Sequence, residues 1–487
     1  MKNRLLLISL LSLFTASLLW AQSVTPAFTI TGQVGGLKDT TCVLAHYFGA
    51  TQYIPKDTAR VNSEGKMTFS GSKRLPGGLY LLVTPKNGYI EFIIDEKNQD
   101  FSFTTDTVSL VRNMKITGST ENELFYRYQQ ELGKIYDEAQ ALELQKKLRT
   151  DDVSKAMFGK QMGALQQQAQ TYRKQFLTDN TGTFAVKLLK ATAEPEVPTA
   201  PKLASGRPDS VWVFNYYKGH FWDDFDFSDE RFVRTPILQR KIDRYLKELT
   251  VQVPDSLIKE ADYIVSKVRA GKDKEMQSYA IWYITSQYEQ PKVMGTDGLY
   301  VHMFEKYYAT GIMPITDSST IQKIGERVAT LKPTLVGKTL VDPAVSDTLR
   351  KPIVLNNIKS DYTVVYFYSP SCGHCRDSAP KLKEFADANR NKGVTVMAVA
   401  VEQSPEDWKK FIREFKLQKL VNGYDYTSRT DYRHKYDVWT TPTVYILDRN
   451  KKILARKLPV EQIEDFISFN RRQQETIKKS ASASVKK

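Results

Sequence analysis

The fold of the C-terminal part of this chain is decided by the stretch Tyr366-Phe367-Tyr368-Ser369-Pro370-Ser371-Cys372-Gly373-His374-Cys375. An apolar run from Thr363 to Tyr368 is typical of a strand at the centre of a sheet. The Ser-Pro-Ser segment after it predicts a turn, and a helical pattern then continues to about residue 390. Two cysteines separated by two residues are therefore expected on the first turn of a helix that follows a buried strand.

This placement favours redox chemistry at the cysteine pair. A helix N-terminus offers unpaired N–H groups and the positive end of the helix dipole, which stabilise a thiolate on Cys372. The pKa of such a thiol can fall from ~8.5 into the range ~3.5–7.5. Cys375, one turn further in, is expected to be the resolving thiol. His374, which follows Gly373, is expected to supply a donor or charge to the thiolate and to make the disulfide more oxidising.

A second element is expected to face this pair. The segment Thr441-Pro442-Thr443 leads into a buried strand over Val444–Leu447. Pro442, if it is cis, would face the cysteines and present the Thr441 backbone to a substrate strand. With further β/α alternation on both sides, the pattern predicts an α/β domain over residues 335–470.

Other readings of the cysteine pair fit less well. Attachment of haem requires a histidine directly after the second cysteine, where this chain has Arg376. A structural zinc requires four ligands, and only the distant His434 could join the pair. A thiol peroxidase stays an alternative because Ser369 lies three residues before Cys372, although Val365 stands where the peroxiredoxin pattern has proline.

The remainder of the chain divides by its patterns. Residues 26–118 alternate β-rich runs with turn signals, which predicts an all-β sandwich or barrel-like module. Apolar residues at three-and-four spacing predict a central α-helical module over residues 119–332. The polar and basic tail, residues 471–487, is expected to be disordered. The predicted protein is multidomain, with an N-terminal β-rich module, a central helical module and a C-terminal α/β domain.

The chain has only three cysteines. An exported protein held together by disulfides normally carries a larger, even set, so the close pair points to chemistry. Cys42 lies in the strand-like run Thr41-Cys42-Val43-Leu44-Ala45. We expect it to act as a small buried hydrophobe rather than as a third redox cysteine.

The N-terminus indicates export. Lys2 and Arg4 precede an apolar segment from Leu5 to Phe14, and Ala21 offers a cleavage point, so residues 1–21 are predicted to be a signal peptide. No later stretch is apolar and long enough to span a bilayer. The mature protein is therefore expected to be soluble and periplasmic, without a stable membrane anchor. The formal net charge of +15 is spread along the chain, so nucleic acid is not an expected partner.

These residues give the segment from about 335 to 470 its resemblance to the TlpA-like thioredoxin-fold oxidoreductases of bacterial periplasms. The features that carry it are the stretch Tyr366–Cys375, Pro380 in the following helix, and Thr441-Pro442-Thr443. The resemblance implies that Cys372 attacks a substrate disulfide, that Cys375 resolves the mixed disulfide and that Pro442 is cis. The upstream segments resemble poorly characterised modules that precede such domains in some Gram-negative bacteria.

The chain departs from that family at two positions that would serve proton transfer to and from Cys375. Thioredoxins have a buried acid where this chain has Tyr366, and some TlpA-like reductases have a glutamate where it has Ser378. Asp377 and Glu402 are the candidates for proton transfer to and from Cys375.

The sequence thus predicts an exported enzyme that exchanges disulfides with cell-envelope proteins and a redox partner protein. The expected redox group is the Cys372–Cys375 disulfide itself, with no other cofactor and no metal. Oxidase, reductase and isomerase directions stay open. An alternative is an envelope binding protein in which the thioredoxin fold is accessory to the large N-terminal half.

Overall fold

A computed structural model describes residues 26–85, 88–149, 151–401 and 404–484, with side chains described as far as residue 477. The predicted signal peptide and Glu402 lie outside the described residues. Within these ranges, no helix is both long enough and apolar enough to cross a membrane. The described residues separate into two compact units, with the division between Lys190 and Ala191.

The first unit contains two four-stranded sheets followed by helices. Its strands are Phe28–Gly35 (β1), Thr40–Phe48 (β2), Gln52–Val61 (β3), Lys66–Gly71 (β4), Gly78–Val83 (β5), Tyr89–Ile94 (β6), Asp100–Asp106 (β7) and Lys115–Thr117 (β8). Its helices are Thr120–Lys147 (α1), Asp152–Asp179 (α2) and Phe184–Ala191 (α3). The strand orders are β4-β1-β7-β8 and β3-β2-β5-β6.

The two sheets form a sandwich around one apolar core. Alternate residues of β1 are buried, as a strand with one face on a core requires. Ile30 of the first sheet and Leu44 and Phe92 of the second belong to the same buried cluster. Cys42 lies in this cluster with no exposed surface, and burial raises the pKa of its thiol. Its predicted place as a buried apolar side chain is confirmed.

The second unit begins with a helical region. Its helices are Ser210–His220 (α4), Ile237–Lys247 (α5), Pro254–Ala270 (α6), Lys274–Gln287 (α7), Gly298–Met303 (α8) and Ser318–Leu331 (α9). One-turn segments lie at Glu230–Arg234, Phe304–Tyr308 and Lys332–Thr334. Aspartates 209, 273 and 317 accept hydrogen bonds from first-turn N–H groups of α4, α7 and α9, which satisfies donors that a helix leaves unpaired.

A seven-stranded mixed sheet completes the second unit. Its strands are Val345–Ser346 (β9), Pro352–Ile353 (β10), Tyr362–Tyr368 (β11), Val394–Ala400 (β12), Val421–Tyr424 (β13), Thr443–Leu447 (β14) and Ile453–Arg456 (β15). Its helices are Gly373–Asn389 (α10), Pro405–Glu414 (α11), Tyr432–Tyr436 (α12) and Ile463–Ser484 (α13), with short turns at Leu355–Asn357, Arg390–Lys392 and Val460–Gln462. The strand order is β10-β9-β13-β12-β11-β14-β15.

Strand β11 is an interior strand of this sheet, between β12 and β14. All seven of its residues are buried, because the sheet is covered on both faces. Val364, Tyr366 and Tyr368 pack with α10, α11 and α13 on one face, and the residues between them pack on the other. The strand runs parallel to β12 and antiparallel to β14. The predicted architecture of a β-sandwich, a helical region and a thioredoxin-like domain is confirmed.

The C-terminal tail differs from its prediction. We expected disorder from Arg471, whereas α13 continues without interruption to Ser484. The segment contains Gln, Glu, Lys and Ala, which are good helix formers, and no glycine or proline ends the helix earlier.

A buried ionic network joins the helical region to the mixed sheet within the second unit. Asp437 has no exposed side-chain surface and receives Arg327 Nη1 at 2.5 Å, Arg456 Nη1 at 2.9 Å and Lys457 Nζ at 2.7 Å. Arg456 also pairs with Asp297 of the helical region. Because Arg327 and Asp297 come from one part and Asp437 and Arg456 from the other, the network fixes their relative position.

Candidate active site

The site is built where two strand ends meet. Phe367 of β11 pairs with Thr443 of β14 in an antiparallel register. The end of β11 and the beginning of β14 therefore lie at the same edge of the sheet. The turn that leads to Cys372 and the loop that holds Pro442 are brought together by this register.

Cys372 occupies the N-cap position of α10, with an extended backbone. Its carbonyl accepts hydrogen bonds from the backbone N–H groups of Cys375 and Arg376, both at 3.1 Å. Cys372 is partly exposed and Cys375 is fully buried, and both are free thiols in this structure. One sulfur is therefore accessible to a substrate, and the other lies behind it on the first helical turn.

The proline loop faces the accessible sulfur. The peptide bond between Thr441 and Pro442 is cis, as the family resemblance implies. Cys372 Sγ donates a hydrogen bond to the Thr441 carbonyl oxygen at 3.2 Å. The Thr441 backbone therefore lies beside Cys372, and its contact with a substrate strand stays a prediction.

The two thiols have opposite pKa shifts. Burial acts to raise the pKa of Cys372, but hydrogen bonds from the Thr441 and Cys375 side chains and from the backbone N–H groups of Cys375 and His374 outweigh it, so the pKa is lowered. Burial raises the pKa of Cys375 to about 12, and the neighbouring Cys372 sulfur adds to this rise. A thiolate is therefore favoured at the partly exposed sulfur and a neutral thiol at the buried one.

The two residues between the cysteines are Gly373 and His374. A side chain built at Gly373 would meet no atom within 4 Å, so packing does not demand glycine there. His374 is exposed, and among the described residues its imidazole has no hydrogen-bond partner. The contribution of His374 that the structure does contain is its backbone N–H. A role for the imidazole stays a prediction.

The two positions where the chain departs from the family it resembles, Tyr366 and Ser378, lie in contact. Tyr366 is fully buried, and its hydroxyl lies 2.8 Å from Ser378 Oγ and donates to the Cys375 carbonyl at 3.3 Å. Ser378 Oγ in turn donates to the His374 carbonyl at 2.8 Å. Burial raises the pKa of Tyr366 well above its usual range, so this phenol is a hydrogen-bond donor and not a base at neutral pH.

Within the residues it describes, the structure shows no contact that would assign proton transfer at Cys375 to either Asp377 or Glu402. Asp377 is exposed on α10, and Glu402 lies outside the described residues. No group of three or more His, Cys, Asp or Glu side chains in the described ranges is placed to hold a metal ion.

The contact between Tyr366 and Ser378 is not among the sequence predictions, although the strand pattern carries a signal for it. Alternation along β11 turns Tyr366 toward α10, where Ser378 lies one turn after His374.

Solved structures similar to this chain include thioredoxin-like proteins. A domain of a possible thiol-disulfide isomerase from Cytophaga hutchinsonii is 34% identical and covers 29% of this chain and 97% of that one, with a TM-score of 0.28. A thioredoxin-like protein from Bacteroides caccae is 18% identical and covers 56% of this chain and 98% of that one, with a TM-score of 0.45.

Sequence comparisons divide the chain in a similar way. Residues 28–125 and 161–330 match families described as domains of unknown function, DUF4369 and DUF5106. Residues 360–453 match the family described as thioredoxin-like. The thiol-disulfide oxidoreductase ResA of Bacillus cereus is 24% identical over 135 residues, which are 27% of this chain and 76% of the relative. The C-terminal part of this chain is thus similar to thioredoxin-like proteins over residues 360–453 and to a thiol-disulfide oxidoreductase over 135 residues.

Proposed function

We propose that this protein is exported and exchanges disulfides with cell-envelope proteins through Cys372 and Cys375. The observation that supports the assignment of roles is the contrast between the two sulfurs. Cys372 is partly exposed with a lowered pKa, whereas Cys375 is buried with its pKa raised to about 12. The attacking sulfur must be a thiolate that a substrate can reach, and only Cys372 meets both conditions.

The exchange proceeds in two displacements. The Cys372 thiolate attacks one sulfur of a substrate disulfide, that S–S bond breaks, and the released substrate sulfur takes up a proton. Cys375 then loses its proton and attacks the Cys372 sulfur, which releases the second substrate thiol. The substrate has gained two electrons and two protons, and the enzyme has gained the Cys372–Cys375 disulfide. A redox partner protein restores the dithiol, and the same steps in reverse oxidise a substrate.

The experiment that tests these roles uses two serine variants. Cys372→Ser is expected to abolish the reduction of insulin disulfides, because no thiolate is left at the accessible position. Cys375→Ser is expected to accumulate mixed disulfides through Cys372, since the first displacement occurs and the second does not. A Cys375→Ser protein that traps no substrate would show that the assigned division of roles is wrong.

The direction of exchange is decided by the reduction potential of the couple. A value near −120 to −180 mV indicates an oxidase or isomerase, and a value near −270 mV indicates a reductase. His374→Ala measures the contribution of the imidazole. A drop in potential in this variant would support a role for the side chain, and an unchanged potential would leave the backbone N–H groups as the source of thiolate stabilisation.

Export is tested separately. Cleavage after Ala21 gives a mature protein that begins at Gln22. The mass of the protein recovered from the periplasmic fraction of the producing cells checks this site. Recovery of the uncleaved chain from the cytoplasm would contradict the proposed location.

A further inference from the structure

A second surface adjoins the cysteine site. A cleft of about 710 Å³ lies between the helical region and the thioredoxin-like domain, within the second compact unit. One of its walls is the segment 289–297, which joins α7 to α8. The other wall contains Trp439, Thr440 and the segment 456–459.

The cleft is continuous with the cysteine site. Lys457, Leu458 and Pro459 line it, and they also line the groove that contains His374 and Pro442. Thr440 of the cleft is followed directly by Thr441, whose carbonyl lies 3.2 Å from Cys372 Sγ. A chain attached to Cys372 therefore reaches the cleft within a few residues, because an extended strand advances about 3.3 Å per residue.

The wall from the helical region is held in place. Arg456 pairs with Asp297 at the end of this segment, and the Arg456 backbone N–H contacts Met294 Sδ at 3.4 Å. Asp437 and Arg327 complete the same network. The cleft is therefore formed before a ligand arrives, and less ordering is required on binding.

The chemistry of the walls is amphipathic. Trp439 is 49% exposed and Met294 is 37% exposed, although both are large apolar side chains. Charged groups of both signs lie beside them, since Glu289 and Lys457 also line the cleft. Apolar surface flanked by polar groups fits an extended polypeptide, which combines apolar side chains with backbone donors and acceptors.

We propose that the cleft binds the extended segment of a substrate protein next to its reacting cysteine, so that the helical region supplies part of the substrate site. The proposal rests on the proposed function, because a mixed disulfide at Cys372 is what places a polypeptide there. It assigns substrate recognition to the segment 289–297 and to Trp439.

The test compares a long and a short probe on the Cys375→Ser protein. The long probe is a peptide of about twelve residues, which spans ~40 Å when extended, with one central cysteine activated as its mixed disulfide with thionitrobenzoate. The short probe is glutathione activated in the same way. In each case Cys372 attacks the probe sulfur, the S–S bond to thionitrobenzoate breaks, and the coloured thiolate is released.

Hydrogen exchange of the two adducts locates the peptide. The long adduct is expected to protect residues 289–297 and 439–440 relative to the glutathione adduct, while α6 (Pro254–Ala270) stays unchanged. Protection confined to the thioredoxin-like domain would overturn the proposal and leave the proposed function intact. Failure of both probes to form an adduct would instead refute the role of Cys372.

Two tryptophan variants provide a matched kinetic comparison. Trp439→Ala is expected to slow thionitrobenzoate release from the long probe about tenfold relative to the glutathione probe, which corresponds to roughly 1.4 kcal/mol. Trp282→Ala, at a tryptophan that is 38% exposed on α7, is expected to leave both rates unchanged. Equal rates for the long probe in the two variants, or an equal loss for both probes in Trp439→Ala, would contradict a peptide site in the cleft.

Discussion

Replacing Asp437 by asparagine removes the charge at the centre of the ionic network and little else. Asparagine has nearly the same shape as aspartate. Asp437 has a backbone φ of 52°, in the left-handed region, and asparagine is among the few residues that tolerate it. The change therefore does not strain the backbone and tests the charge alone.

The magnitude follows from what the substitution leaves behind. Arg327, Arg456 and Lys457 all contact the Asp437 carboxylate, and the Arg456 side chain is only 5% exposed. Arg456 keeps Asp297 as a partner, so its charge is not left wholly uncompensated. Breaking a buried ion pair by removing one partner costs about 3–5 kcal/mol, and we expect the lower end here, about 3 kcal/mol.

Urea unfolding of the full chain, followed by tryptophan fluorescence, measures this loss. The exposed pair of Lys332 and Glu305 provides the control, because Glu305→Gln is expected to change the free energy of unfolding by at most ~1 kcal/mol. If Asp437→Asn cost no more than Glu305→Gln, the network would not be what fastens the helical region to the thioredoxin-like domain.

Three further experiments test the site and the first unit. The rate at which iodoacetamide alkylates Cys372 should rise with pH, and the midpoint of this rise should lie below that of a model cysteine peptide. Cys375 should resist alkylation up to a pH near its pKa of about 12. A single midpoint shared by both thiols would contradict their assignment. Tyr366→Phe removes a buried hydroxyl and should cost about 1 kcal/mol in urea unfolding, while the alkylation midpoint of Cys372 stays unchanged because other groups stabilise that thiolate. Cys42→Ala should leave insulin reduction intact and lower only the stability of the β-sandwich, and loss of activity in a folded Cys42→Ala protein would make this cysteine a redox partner.

The core of the site could be predicted because its signals are local. An apolar run of strand length, a Ser-Pro-Ser turn and two cysteines on a following helix lie within one short stretch, so β11, α10 and the position of Cys372 follow from sequence. The position of Pro442 beside the cysteines is implied by the family resemblance and not by a local pattern. Only the pairing of β11 with β14 brings that loop to the cysteines.

The parts that could not be predicted depend on contacts between distant segments. Nothing around Asp297 or Asp437 distinguishes these residues from ordinary helix-capping carboxylates, and their common partner Arg456 is defined only by the folded second unit.

The opposite pKa shifts of the two cysteines also fix how protons accompany electrons. Between the pKa of Cys372 and that of Cys375, the reduced enzyme carries one thiolate and one thiol, and the disulfide carries neither proton. Reduction by two electrons then takes up one proton, so the midpoint potential falls by about 30 mV for each pH unit. Below the pKa of Cys372 both sulfurs are protonated, and the slope doubles to about 59 mV. Between the two cysteine pKa values, acidification by one pH unit raises the potential of a substrate couple with two protonated thiols by about 59 mV and that of this enzyme by about 30 mV. The enzyme therefore becomes a weaker oxidant relative to such a substrate as the pH falls.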